Sequence, residues 1–113
     1  MMEQIITDTI ESYNHYLKKL PDGCLKIAEF LRNNEVSSAL KTILDFSEGA
    51  SWLADASSLL QSMKVTVELP VSKIHEFLNE VNNGLEIQDY VLVADMFEYE
   101  IAPFFEGCAA IEA

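Results

Sequence analysis

Basic residues are scarce in this 113-residue sequence, where seven lysines and arginines stand against 19 aspartates and glutamates. The formal net charge of −12 repels phosphate backbones and anionic membrane surfaces, and no basic patch interrupts it. We therefore expect neither a nucleic-acid partner nor a membrane partner. Cationic proteins or basic segments are the partners that such a field attracts.

Cysteine is also scarce, with only Cys24 and Cys108, which lie far apart in the chain. The pair fits neither a CxxC motif nor the spacing of a zinc site. Both lie on predicted core faces, so we interpret them as reduced and buried, which favours a cytoplasmic location. The N-terminus lacks the pattern of a signal peptide, and no apolar run approaches the ~20 residues that span a bilayer.

Half of the residues are apolar, so a single domain over residues 1–113 can bury a hydrophobic core. In residues 3–32 the apolar positions follow a heptad pattern, which predicts a helix. Its members are Ile6, Ile10, Tyr13, Leu17, Leu20, Cys24, Ile27 and Leu31. Pro21 does not shift this pattern, which favours one long helix kinked near Pro21. Two separate helices are the alternative.

A second helix is predicted after Asn33 and Asn34, because asparagine suits both the end of one helix and the start of the next. Its core positions run from Val36 to Leu60, and the short connection implies an antiparallel pair. The following segment, KVTVEL at residues 64–69, alternates as a strand does. No other segment alternates over a similar length, so we interpret it as an extended connection leaning on the bundle. A strand that pairs with another protein is the alternative.

Two more helices complete the predicted fold. The third begins after Pro70 and is predicted to stop at Gly84, which can adopt a positive φ. The last follows Asp89, which is placed to cap it. We therefore predict an all-α protein, an antiparallel four-helix bundle with a long, kinked first helix.

The last helix, DYVLVADMFEYEIAPFF at residues 89–105, has the densest apolar and aromatic content of the chain. Its predicted core face consists of Tyr90, Val93, Ala94, Phe97, Ile101, Phe104 and Cys108. A second apolar stripe contains Leu92, Met96, Tyr99 and Pro103, with the acids Asp95, Glu98 and Glu100 between the two. A helix at the edge of a bundle needs only one apolar stripe, so the second predicts a partner surface. The alternative is that it packs against a similar stripe of the second helix, which includes Trp52.

These stripes predict one partner-binding site, and its residues are Leu92, Met96, Tyr99, Asp95, Glu98 and Trp52. The expected occupant is another protein or a second copy of the chain. We predict no catalytic residue, no metal ligand and no cofactor, because no motif of those classes is present. The alternative is a carboxylate-based metal-binding or hydrolytic enzyme that uses Asp95, Glu98 and either His15 or His75.

The segments SEGASWLADA and DYVLVADMFEYEIAPFF resemble segments of small uncharacterised acidic helical proteins of bacteria. The short acidic antiparallel bundle is also similar in architecture to the flagellin-export chaperones. That resemblance implies a bundle that holds an export client along its grooves, with Leu92, Met96, Tyr99 and Trp52 facing the client. The sequence thus favours a non-enzymatic protein-binding bundle with an adaptor or chaperone-like role.

Overall fold

The computed structural model describes residues 2–112, and within that range the chain forms four helices and no strand. The first three are α1, Met2–Arg32, α2, Val36–Ser62, and α3, Val71–Glu86. The fourth, which we call the C-terminal helix, consists of α4, Tyr90–Asp95, a π-helical turn, Met96–Ile101, and α5, Ala102–Glu106. The predicted all-α helical bundle is confirmed.

The first helix is continuous through Pro21, which lies inside it. The alternative of two separate helices is therefore wrong, whereas the kink stays a prediction. Proline removes one amide from the hydrogen-bond ladder, so packing must hold the helix together at this point. Leu20 and Cys24 on either side of the proline are both buried. At about 1.5 Å per residue, the 31 residues of α1 extend about 46 Å, close to the 48 Å length of the molecule.

The two long helices pack on each other through the predicted apolar positions. On α1 the heptad positions from Ile10 to Leu31 are buried, and on α2 the positions from Ala39 to Leu60 are buried. Each fully buried large apolar side chain stabilises the fold by about 1.5–3 kcal/mol. The connection between the helices includes Asn34, whose φ of 60° is the left-handed conformation that asparagine tolerates.

The C-terminal helix packs against α1 and also contacts α2, because the ring of Phe46 meets those of Phe97 and Phe105 edge to face, at 5.2 and 6.1 Å. Asn14 of α1 binds the backbone of Ile111, whereas Arg32 at the end of α1 binds Asp95. The later residue of α1 thus contacts the earlier residue of the C-terminal region, so the two segments run in opposite directions. Ile111 is buried, and its backbone N–H and C=O are both bound by the Asn14 side chain, at 2.8 and 2.9 Å.

The third helix does not stop at Gly84, so that prediction is wrong. It continues to Glu86, and the positive φ occurs at Gln88, at 55°. Gly84 is buried, and a Cβ atom there would lie 2.7 Å from Cγ2 of Val93. The glycine therefore permits a close approach of α3 and α4. Asp89 caps the C-terminal helix as predicted, because its Oδ1 accepts a hydrogen bond from the Leu92 N–H, at 3.1 Å.

The connection between α2 and α3 lies against the bundle. Val65 and Val67 are partly buried against the core, and Leu69 is buried. The segment is not a strand in the described part of the chain, which agrees with its interpretation as a connection.

The π-helical turn changes which residues of the C-terminal helix face the core. In a straight α-helix, with about 100° per residue, Ala102 would lie on the side opposite Val93. Both are buried, with Ala102 only 2% exposed, because the wider turn rotates the following residues. The predicted core position Phe104 is only partly buried, whereas Phe105 is 2% exposed. The core face of the last turn is thus shifted by one residue.

Candidate partner-binding site

Large apolar side chains are exposed around the first half of the C-terminal helix. They are exposed by 44–70% and comprise Ile87, Val91, Leu92 and Tyr99. Ile87 lies in the connection between α3 and the C-terminal helix. We call these four residues the apical patch. Their exposure is notable because comparable side chains elsewhere on this helix, such as Phe97 and Ile101, are fully buried.

A charged cluster lies beside the apical patch. Arg32, in the last turn of α1, reaches across to the C-terminal helix, where its Nη2 donates to Oδ1 of Asp95 at 2.8 Å and its Nε donates to Oε1 of Glu98 at 3.1 Å. These hydrogen bonds, first to Asp95 and then to Glu98, raise the pKa of Arg32. The side chains are one third to one half exposed, so solvent screens the pairs and they orient the helices more than they stabilise them.

Tyr99 extends the apical patch next to these acids. The carboxylate of Glu98 raises the pKa of the Tyr99 phenol, because it favours the neutral hydrogen-bonding phenol over the phenolate. Tyr99 therefore presents an apolar ring and a protonated hydroxyl to solvent. Such amphipathic side chains are frequent at protein interfaces.

Four of the predicted site residues lie together in this region: Leu92, Asp95, Glu98 and Tyr99. Met96 does not belong with them, because it is 3% exposed and lies in the core. It immediately precedes Phe97 at the start of the π-helical turn and flanks the buried side of the helix. Met96 is thus a packing residue, and its assignment to the exposed stripe is corrected.

Trp52 lies far from the apical patch. It contacts Tyr16 of α1 edge to face, with ring centroids 6.3 Å apart, whereas Asp95 contacts Arg32 of the same helix. Tyr16 and Arg32 are sixteen residues apart, which corresponds to about 24 Å along α1. Trp52 and Tyr99 are both exposed, so the two stripes do not cover each other. The alternative of internal packing between them is wrong.

Three residues of this region, Arg32, Ile87 and Val91, were not predicted as site residues. Arg32 is the only arginine of an acidic chain, which was the available signal, but its partners depend on the packing of α1 against the last helix. Val91 belongs to neither predicted stripe. Its exposure agrees with its place outside the predicted core face, but one apolar residue by itself gives no periodic signal.

The carboxylates of the site are paired with a guanidinium of the same chain. Asp95 and Glu98 bind Arg32, and among residues 2–112 no group of three His, Cys, Asp or Glu side chains could hold a metal ion. The alternative site made of these acids and a histidine therefore has a guanidinium beside its carboxylates. Over the same residues, no helix combines the length and the apolarity that crossing a membrane requires.

A comparison with protein families gives one match, to a domain of unknown function (DUF8042), over residues 8–110. The chain belongs to the DUF8042 family. The matched range includes most of α1, all of α2 and α3, and the whole C-terminal helix with the apical patch. This agrees with the expected resemblance to uncharacterised proteins. Neither the curated proteins nor the solved structures contain a match to the chain.

Proposed function

We propose that this DUF8042 protein is a non-enzymatic, cytoplasmic protein-binding bundle with an adaptor or chaperone-like role. Its partner site is the apical patch together with Asp95 and Glu98. The observation that carries the proposal is the exposure of four large apolar side chains, three on the C-terminal helix and one in the connection before it. Contiguous exposed apolar side chains rimmed by polar groups are typical of protein-binding surfaces.

Covering this patch contributes favourable energy to recognition. Covering a large apolar side chain completely contributes about 1.5–3 kcal/mol, and the exposed fractions leave roughly half of that to be gained on binding. Four such side chains therefore supply a few kcal/mol, the size of a small interface hot spot. Tyr99 adds a hydroxyl that can bind a polar group at the edge.

The charges beside the patch indicate the chemistry of the partner. Two carboxylates share one guanidinium, so the cluster of Asp95, Glu98 and Arg32 keeps a net negative charge. The net charge of −12 extends this field over the protein. A partner segment with apolar residues next to lysine or arginine is favoured, and its association is accelerated by the field.

The resemblance to flagellin-export chaperones that the sequence suggested implies the same kind of partner, an amphipathic helical segment of a client. Free cysteines, one buried and one partly buried, suit a reducing compartment and support the cytoplasmic location.

Affinity capture with the full chain as bait tests the proposal. We expect Val91→Glu and Tyr99→Glu to lose the proteins that the native chain captures, without a change in the thermal midpoint, because both side chains are exposed. Leu44→Glu is the matched control, since Leu44 is 58% exposed on α2. The proposal is wrong if Leu44→Glu loses the same proteins, or if the two patch variants retain them all.

A further inference from the structure

An open groove runs between α1 and α2 and plays no part in the proposed partner site. It consists of two hollows that share Tyr16. One, of about 160 Å³, lies over Leu20, Ile27 and Phe46, and the other, of about 340 Å³, lies between His15 and Trp52. On the opposite side of α1, Lys18 and Pro21 line a hollow with Phe105 of the C-terminal helix. The groove is therefore on the side of α1 that the C-terminal helix does not cover.

Two glycines shape this groove. The ring of Tyr16 lies directly over Gly49, at a position that a Cβ atom would occupy. At Gly23 a Cβ atom would meet nothing within 4 Å, so the groove has unfilled space above that residue. Glycine in a helix interior costs about 0.5–1 kcal/mol relative to alanine. Within the monomer, no contact made possible by Gly23 offsets this cost.

The rims of the groove carry opposite charges. Lys19 on α1 and Asp45 on α2 line the same hollow, so they lie at the same height along the helices. They do not pair with each other: within the described range the ion pairs join Arg32 to Asp95 and Glu98, and Lys73 to Glu76. A purely basic ligand would be repelled by Lys19, and a purely acidic one by Asp45. The occupant must present an acid opposite α1 and a base opposite α2.

We propose that this occupant is a second copy of the chain, related by a two-fold axis parallel to the groove. Such an axis exchanges the two sides of the groove and preserves height along the helices. It therefore places α1 of each copy opposite α2 of the other, and Lys19 of each copy opposite Asp45 of the other. The same face of each copy thus supplies one lysine and one aspartate, and the dimer contains two identical ion pairs.

The size of the face fits a stable dimer. The 27 residues of α2 extend about 40 Å, and two adjacent helices are about 20 Å wide. Covered over its full length, the face offers at most about 800 Å² per copy, the area that a standard specific interface buries on each partner. Tyr16 and Trp52 supply the aromatic side chains that are enriched at interface centres.

Sedimentation of the full chain at physiological ionic strength, from micromolar to submillimolar concentration, tests this proposal. We expect the native chain to form a dimer of the 12.7 kDa subunit. Lys19→Glu and Asp45→Lys should each raise the dimer dissociation constant about tenfold or more, because symmetry creates two repulsive pairs. An equimolar mixture of the two variants should dimerise again, since the substituted side chains then face each other and the native ones do likewise.

Two further variants separate the interface from folding. Lys18→Glu makes the same charge change one residue away, on the side of the C-terminal helix, and should leave the dimer unchanged. Gly23→Gln should weaken the dimer without lowering the thermal midpoint of the dilute protein, because its side chain enters open space. A monomer at every concentration overturns the proposal. So does a dimer that Tyr99→Glu dissociates and Lys19→Glu does not, or a mixture that fails to dimerise.

Discussion

Replacing Gly84 with alanine tests the close approach of α3 to the C-terminal helix. The added Cβ would lie 2.7 Å from Cγ2 of Val93, whereas carbon atoms in contact prefer about 3.5–4.0 Å. Val93 is fully buried and β-branched, so its methyl group has neither free space nor an easy alternative rotamer. The helices must therefore separate by several tenths of an ångström to accept the methyl group.

Two opposing energies decide the outcome. Alanine is favoured over glycine in a helix interior by about 0.5–1 kcal/mol. Overpacking a well-packed core costs about 1–3 kcal/mol. We therefore expect Gly84→Ala to lower the free energy of unfolding by about 0.5–2 kcal/mol. For a domain of this size that corresponds to a decrease of a few degrees in the thermal midpoint.

Gly23→Ala is the matched control, because it makes the same substitution in a helix where the Cβ meets nothing within 4 Å. We expect it to raise the free energy of unfolding by about 0.5–1 kcal/mol. Urea denaturation followed by circular dichroism, on protein dilute enough to be monomeric, measures both variants on one scale.

A third measurement connects the loss to Val93. In a Val93→Ala background the methyl group of Val93 is no longer present, so Gly84→Ala should become neutral or stabilising. Equal stabilisation by Gly84→Ala and Gly23→Ala in the native background would refute the close packing of α3 on α4. An unchanged loss in the Val93→Ala background would assign the cost to another contact.

The core register, the C-terminal tail and the buried thiol have simpler tests. Phe105→Ala should cost about 3–5 kcal/mol in urea denaturation and Phe104→Ala clearly less, and the reverse order would contradict the rotation by the π-helical turn. Asn14→Leu removes both hydrogen bonds to the tail, so the backbone amide that Asn14 binds should exchange faster with deuterium, while an unchanged rate would show that the tail is held otherwise. Burial raises the pKa of the Cys24 thiol from 9.0 to about 12 and, together with Cys108, that of Tyr13 from 10.0 to about 12. Their contribution to stability is therefore complete below about pH 9 and is lost as the pH rises towards 12, and Cys24→Ala should reduce the slope of stability in that range.

The two long helices were predictable because the burial pattern of a long helix is a local property. Steps of three and four residues between apolar positions determine a single face. From Ile10 to Leu31 on α1 and from Ala39 to Leu60 on α2, the predicted faces are buried. The same pattern passes through Pro21, which correctly favoured one helix over two.

The candidate site was only partly predictable. Leu92 and Tyr99 are exposed and lie with Asp95 and Glu98, as the second stripe indicated. Met96 is buried instead, at the residue where the π-helical turn begins, and no apolar pattern predicted that turn. Trp52 has the expected exposure but lies at another height along the bundle, which depends on how the helices are arranged.

The sequence by itself determined the fold class, the extent of the long helices and the acidic surface, because composition and periodicity act within each segment. Tertiary structure alone decided that Gly84 is a contact and not a stop, since the helix end depends on what packs beside it. It also brought Arg32 to the acids of the last helix. Side chains that are distant in sequence come into contact only when their helices pack side by side. Which helices pack together depends on the combined fit of all core faces.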